Sequence, residues 1–172
     1  MRKLVPLAAV VAFLSVFFTA PGTAAAVDYQ RWRTIEITPT DMCIGVSGGQ
    51  MVNGAKVILW PCSGATDQSW VAIPTDQSGG YHQIRNKKDP SKCLSVLNSW
   101  KSPGVQLIIW TCQNAYAQQW DAVYVYDGWV ELKNWNSGLY AAISGGNAVS
   151  GAPIIQWTRN FGDEQTWEPI AG

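Results

Sequence analysis

Gln68-Ser69-Trp70 returns as Gln118-Gln119-Trp120 and again as Gln165-Thr166-Trp167, at intervals of 50 and 47 residues. A second tryptophan, Trp60, Trp110 or Trp157, stands eight residues before each glutamine. Seventeen residues before those stand Cys43, Cys93 and Tyr140, each followed eleven residues later by a glycine, Gly54, Gly104 or Gly151. Four landmarks in one register over three copies define a repeated supersecondary unit, no copy of which can bury its apolar face alone. Three copies of a β-unit can close on a pseudo-threefold axis. That number sets the architecture.

Short strands carry the landmarks. In the first copy, 33–79, Thr34-Ile35-Glu36-Ile37 alternates as a half-buried strand and Cys43-Ile44-Gly45-Val46 forms a second. Asn53-Gly54 then turns the chain, because both residues tolerate positive φ. Lys56 to Trp60 and Gln68 to Ile73 complete the unit. The second copy, 80–127, repeats this with Tyr81 to Arg85, Cys93 to Val96, Leu107 to Trp110 and Gln118 to Val125. The third, 128–172, does so with Trp129 to Lys133, Tyr140 to Ile143, Ile154 to Trp157 and Gln165 to Ile170. No segment has a helical period. The reading is an all-β domain of three four-stranded repeats.

Residues 1–26 stand outside that pattern. Met1-Arg2-Lys3 is basic, Leu4 to Phe18 is almost unbroken apolar sequence, and Ala24-Ala25-Ala26 ends the segment as a secretory cleavage site would. The apolar run is shorter than the roughly 20 residues that span a bilayer. A mature, secreted chain of residues 27–172 is expected, long enough for one domain with its own core. The cysteines agree with export. Cys43 and Cys62, like Cys93 and Cys112, are 19 residues apart. Four cysteines allow three pairings, and equivalent positions in two copies predict the local pairs Cys43–Cys62 and Cys93–Cys112. Tyr140 and Arg159 hold those two positions in the third copy, which should be looser without a bridge.

Twelve Lys and Arg, less Arg2 and Lys3, leave ten basic against twelve acidic side chains. Such a near-neutral chain lacks the basic patch that nucleic acid or an anionic membrane surface requires. Zinc is poorly served: there is no Cys-x-x-Cys, and His82 is the single histidine. No phosphate loop or dinucleotide fingerprint is present, so neither a cofactor nor a metal is expected. Asp163, Glu164 and Glu168 are too close together in sequence to flank a glycosidase cleft, whose carboxylates stand about 5–10 Å apart. On a strand, neighbours face opposite ways. His82 reads as a surface residue without a nucleophile. No enzyme is expected.

The pattern Cys43-x-x-Val46, Asn53-Gly54, Val57-Ile58-Leu59-Trp60-Pro61-Cys62, Asp67-Gln68-Ser69-Trp70 closely resembles one repeat of the ricin-type β-trefoil lectins. Many secreted bacterial carbohydrate-binding modules are of this type. The resemblance runs from about Arg33 to the end and implies a β-trefoil, a six-stranded barrel capped by a triplet of hairpins. It also implies a non-catalytic, monomeric carbohydrate-binding protein. Trp70, Trp120 and Trp167 read as a shared core, each burying on the order of 200 Å². The partner glutamines Gln68, Gln118 and Gln165 would anchor a turn and can also touch the ligand. Trp60, Trp110 and Trp157 occupy the family's stacking position, and either meet the apolar face of a sugar or merely complete a strand.

The family's sugar-gripping aspartate, two residues after the first cysteine, is Gly45, Ser95 and Ala142 here. A second polar position is Ile58, Ile108 and Ile155. The residue before each glutamine is Asp67, Ala117 or Glu164, so the first and third copies keep a carboxylate in another place. Gln156 adds an amide in the third. The expected order is therefore a first site with Trp60, Asp67 and Gln68, a third with Trp157, Gln156, Glu164 and Gln165, and a weak second with Trp110 and Gln118. Without the aspartate, galactose alone should bind weakly, and Gly45→Asp should strengthen monosaccharide binding in the first repeat if Trp60 is exposed and correctly oriented. The missing aspartates also fit a protein-binding β-trefoil with decayed sugar sites. Trp100, in Asn98-Ser99-Trp100-Lys101, should be exposed, either as a binding edge or packed within its loop.

Overall fold

The computed structural model describes residues 30–34, 41–75, 80–126 and 128–171. The expected leader, 1–26, and most of the first predicted strand, 35–37, lie outside them. Twelve strands form in chain order: β1 (Gln30–Thr34), β2 (Met42–Val46), β3 (Val57–Pro61), β4 (Trp70–Pro74), β5 (His82–Asn86) and β6 (Lys92–Val96). They continue with β7 (Leu107–Thr111), β8 (Gln119–Tyr126), β9 (Trp129–Asn134), β10 (Tyr140–Ile143), β11 (Ile154–Trp157) and β12 (Trp167–Ala171). Six three-residue 3₁₀ turns are the other regular elements described.

Six strands close a ring, β1–β4–β5–β8–β9–β12 and back to β1, every pair antiparallel. Closure leaves the barrel without an open edge. The other six form the hairpins β2–β3, β6–β7 and β10–β11, which cap it. Bridges between Lys56 and Ile108, Ile58 and Pro153, and Gln106 and Ile155 join the three hairpins. Gln106 sits among them, its amide donating to the carbonyls of Val57, Leu107 and Ile154, one from each repeat. This is a β-trefoil, as the repeat arithmetic and the resemblance require.

Repeated residues make repeated contacts. Trp70, Trp120 and Trp167 are buried together with Leu59, Leu107 and Ile154. Each indole N–H donates to a carbonyl 26 residues earlier, of Ile44, Leu94 or Ala141. The disulfides are Cys43–Cys62 and Cys93–Cys112. In the third repeat the matching pair is held without a bond between sulfurs. The Arg159 guanidinium lies over the Tyr140 ring and pairs at 2.8 Å with the carboxylate of Glu131, which is nearly inaccessible. That hydrogen bond raises the Arg159 pKa still further. An ionic tie thus stands where a loose end was expected.

Candidate functional site

Each QxW glutamine is an anchor for a turn. Gln68 accepts the Ser63 N–H and donates to the Pro61 carbonyl, at 2.9 Å each. Gln118 does the same with Gln113 and Thr111, and Gln165 with Asn160 and Thr158. All three are buried. The side chain thereby supplies the backbone groups of an irregular loop with the partners that burial demands. The tight turns so fixed bring the residue before each glutamine to face the strand pair carrying Trp60, Trp110 or Trp157.

Those tryptophans point outward. Trp60, Trp110 and Trp157 are 49%, 39% and 43% exposed, at the ends of β3, β7 and β11. Beside each lies a recess. The first measures about 460 Å³ and is lined by Trp60, Asp67, Gly45, Ile58 and Lys88. The third, about 450 Å³, has Trp157, Glu164, Ala142 and Ile155. The second is only about 120 Å³, with Trp110, Ser95, Ile108 and Ala117. The second copy thus offers far less space than the other two.

Two substitutions unnoticed in the sequence account for the difference. In the first and third repeats the turn after the second strand carries Gly48-Gly49 and Gly145-Gly146, with φ of 60°, 61°, 74° and 73°. The second repeat bends its backbone the same way at Asn98 and Ser99, with φ of 53° and 55°. Left-handed backbone is easy for glycine, is tolerated by asparagine and costs a residue such as Ser99 roughly 1–2 kcal/mol. The second repeat bears this strain, and its side chains line the recess that glycines leave open.

The third missed residue is Lys88, which reaches the first recess from the following repeat. Its ammonium donates at 2.7 Å to the Gly49 carbonyl. Asn136 makes the matching bond to Ser99 at 2.8 Å. A Cβ on Gly49 would lie 2.8 Å from the Lys88 ammonium, so the lysine tip sits in the space that the glycine leaves.

The carboxylates have moved across the recess. A Cβ built on Gly45 would lie 3.6 Å from Oδ2 of Asp67 and 3.0 Å from the Gln68 side chain. Asp67 therefore fills the region that a side chain from position 45 would enter. An aspartate at position 45 would press on Gln68 and set two carboxylates close together, which opposes the gain expected of Gly45→Asp. Glu164 faces Ala142 in the third recess, its carboxylate held by the Asn160 amide. Asp163 and Glu164 stand on a 3₁₀ turn, not the strand assumed for them, and only Glu164 lines the recess.

Gln156 requires correction as a sugar ligand. It is fully buried: its amide donates to the carbonyls of Trp100 and Ser102, and its oxygen accepts from Ser137. Strand alternation explains this, since Trp157 next to it points out. His82 is likewise a half-buried member of β5, not an open surface residue. Among the described residues no group of three or more His, Cys, Asp or Glu side chains is placed to hold a metal, and no helix is long and apolar enough to cross a membrane.

A family model for the ricin-type beta-trefoil lectin domain-like group matches residues 28–110 and 111–171. A designed threefold-symmetric protein, ThreeFoil, is 26% identical with a TM-score of 0.76, over 84% of this chain and 99% of its own. An exo-β-1,3-galactanase from Clostridium thermocellum is 25% identical with a TM-score of 0.74, over 83% of this chain but 30% of the enzyme. The Rhizoctonia solani agglutinin shares the fold at 18% identity and a TM-score of 0.72, over 89% of this chain and 100% of its own. No curated protein matches the sequence.

Proposed function

The chain belongs to the ricin-type β-trefoil lectin-like family, and from that premise we propose that it is a secreted, monomeric, non-catalytic protein that binds a neutral glycan or polysaccharide. The observation that carries this is the pairing of an outward tryptophan with a carboxylate across an open recess, Trp60 with Asp67 and Trp157 with Glu164. A pyranose has an apolar face of C–H groups and a rim of hydroxyls. The indole supports the first, and the carboxylate accepts from the second through charge-assisted bonds, roughly twice as strong as neutral ones. One carboxylate per recess gives a weak grip on a single galactose. Two working recesses on one rigid domain allow a polymer to gain by multivalency.

Two disulfides and an apolar leader fit an oxidising, extracytoplasmic setting. A second reading, a protein-binding β-trefoil with decayed sugar sites, is favoured by Gly45, Ser95 and Ala142 standing where the family has aspartate. A glycan array combined with polysaccharide pull-down separates the two. β-1,3-Galactan belongs in the panel because a similar structure is part of an exo-β-1,3-galactanase. Retention by at least one neutral polymer is the expected result. No retention by any glycan would transfer the protein to the second reading.

A further inference from the structure

Trp100 is used neither by the core nor by the three recesses, yet it is 57% exposed on a loop with unusually firm anchorage. Gln50, Trp100 and Asn147 follow the three equivalent 3₁₀ turns, so they hold one position in three copies. In the first repeat this position opens onto a recess of about 370 Å³. That recess shares Ser47 and Gly48 with the Trp60 site and includes Gly54. A Cβ on Gly54 would stand 3.9 Å from the Trp110 ring. This recess thus lies between the Trp60 recess, through Ser47 and Gly48, and the Trp110 ring, through Gly54.

One repeat further on, Trp100 holds the position of Gln50, and Gly104 lies against the next outward tryptophan. A Cβ on Gly104 would stand 3.5 Å from the Trp157 ring, and Gly104 lines the Trp157 recess. Four hydrogen bonds hold the loop between them. Gln156 donates to the carbonyls of Trp100 and Ser102 at 2.9 and 2.8 Å, Gly104 donates back to the Gln156 carbonyl at 2.8 Å, and Asn136 holds the Ser99 carbonyl at 2.8 Å. The buried amide next to Trp157 thus fixes the backbone of the loop that carries the exposed Trp100 and ends at Gly104 in the Trp157 recess. Fixing the backbone in advance lowers the ordering cost of any ligand that uses the ring.

We infer that Trp100 is a second stacking platform serving the third site, so that this site takes a run of linked neutral sugars and not one ring. The inference rests on the carbohydrate reading of that site. A protein partner is the poorer match, because docking needs a contiguous apolar patch of several hundred Å², and Trp100 is flanked by Asn98, Ser99, Lys101 and Ser102. Successive pyranose faces need only single flat rings at intervals, with hydroxyls free to meet the polar residues between them. Gln156 is then a positioning residue, which explains a polar side chain with no exposure beside a binding platform.

The test uses affinity gels containing β-1,3-galactan, xylan or β-1,3-glucan, run with the whole mature protein. Trp100→Ala is expected to weaken retention on the bound polymer by roughly tenfold, the scale of one aromatic stacking partner, and Trp100→Phe to restore most of it. Because the side chain is exposed, the variant should keep the wild-type melting temperature. In titrations with oligomers of the retained polymer, the loss should grow from one to several sugar units. Unchanged retention by Trp100→Ala, when Trp157→Ala weakens it, overturns this inference and leaves the lectin reading standing. An equal loss for monosaccharide and long oligomer overturns it too, since Trp100 would then belong to a single-ring site. Failure of the wild type on every gel removes the lectin reading and this inference with it.

Discussion

The first and second repeats share a disulfide, a turn-anchoring glutamine, a buried core tryptophan and an outward tryptophan, yet one offers about 460 Å³ beside its platform and the other about 120 Å³. Identical parts build the barrel, and the substitutions confined to the rim decide what a ligand meets. Gly48-Gly49, Asp67 and Lys88 keep the first recess open and polar. Asn98 and Ser99 put side chains into the second on nearly the same backbone, and Ala117 brings it no carboxylate. A threefold fold thus need not carry three equal sites.

The largest expected effect tests the shared half of that comparison. Trp70→Ala should cost about 3–5 kcal/mol of stability, the usual range for removing a buried indole. Trp120→Ala and Trp167→Ala should cost similar amounts in denaturant unfolding. A much smaller loss at one of them would show that the core is less symmetric than its contacts. At the rim, Trp60→Ala should weaken carbohydrate binding by about 1–3 kcal/mol at unchanged melting temperature. Trp110→Ala should matter little, and calorimetric losses of equal size at both would erase the distinction between the two recesses.

A smaller effect bears on the displaced carboxylate. Gly45→Asp sets a second carboxylate near Asp67, and two like charges about 4 Å apart repel by roughly 1 kcal/mol in water. Monosaccharide binding should weaken, and its recovery in Gly45→Asp with Asp67→Asn would confirm the exchange of positions. A gain in Gly45→Asp alone would mean that the recess accommodates both groups. Asn98→Gly combined with Ser99→Gly should change stability least, by less than about 1 kcal/mol. Relief of left-handed strain there opposes the greater freedom of an unfolded glycine. A crystal structure of this variant should show a wider second recess.

Most of the fold was legible in the sequence because it is written three times. One register of Cys, Gly, Trp and Gln fixed the strands, both disulfides and the axis. Strand ends drifted at the QxW glutamines, which stand on 3₁₀ turns, and at the first strand, which runs Gln30–Thr34 and not from Thr34 onward. The site was half legible. Trp60, Trp110 and Trp157 point outward, and Asp67 and Glu164 line the first and third recesses where Ala117 lines the second. Gln156 was misplaced because its neighbour's role was extended to it, although period-two alternation puts the two on opposite faces. Lys88 and the facing of Gly45 by Asp67 were hidden, since both join residues more than twenty positions apart. The Gly-Gly pairs were visible in the sequence, but their meaning depends on a left-handed backbone that the second repeat adopts without glycine.

Calorimetric titration of a retained neutral polysaccharide into three folded proteins tests the central claim most directly: the wild type, Trp110→Ala, and Trp60→Ala combined with Trp157→Ala. Binding should persist in the wild type and nearly unchanged in Trp110→Ala, and should vanish in the double variant. Undiminished binding by the double variant, or a comparable collapse in Trp110→Ala, would contradict the account.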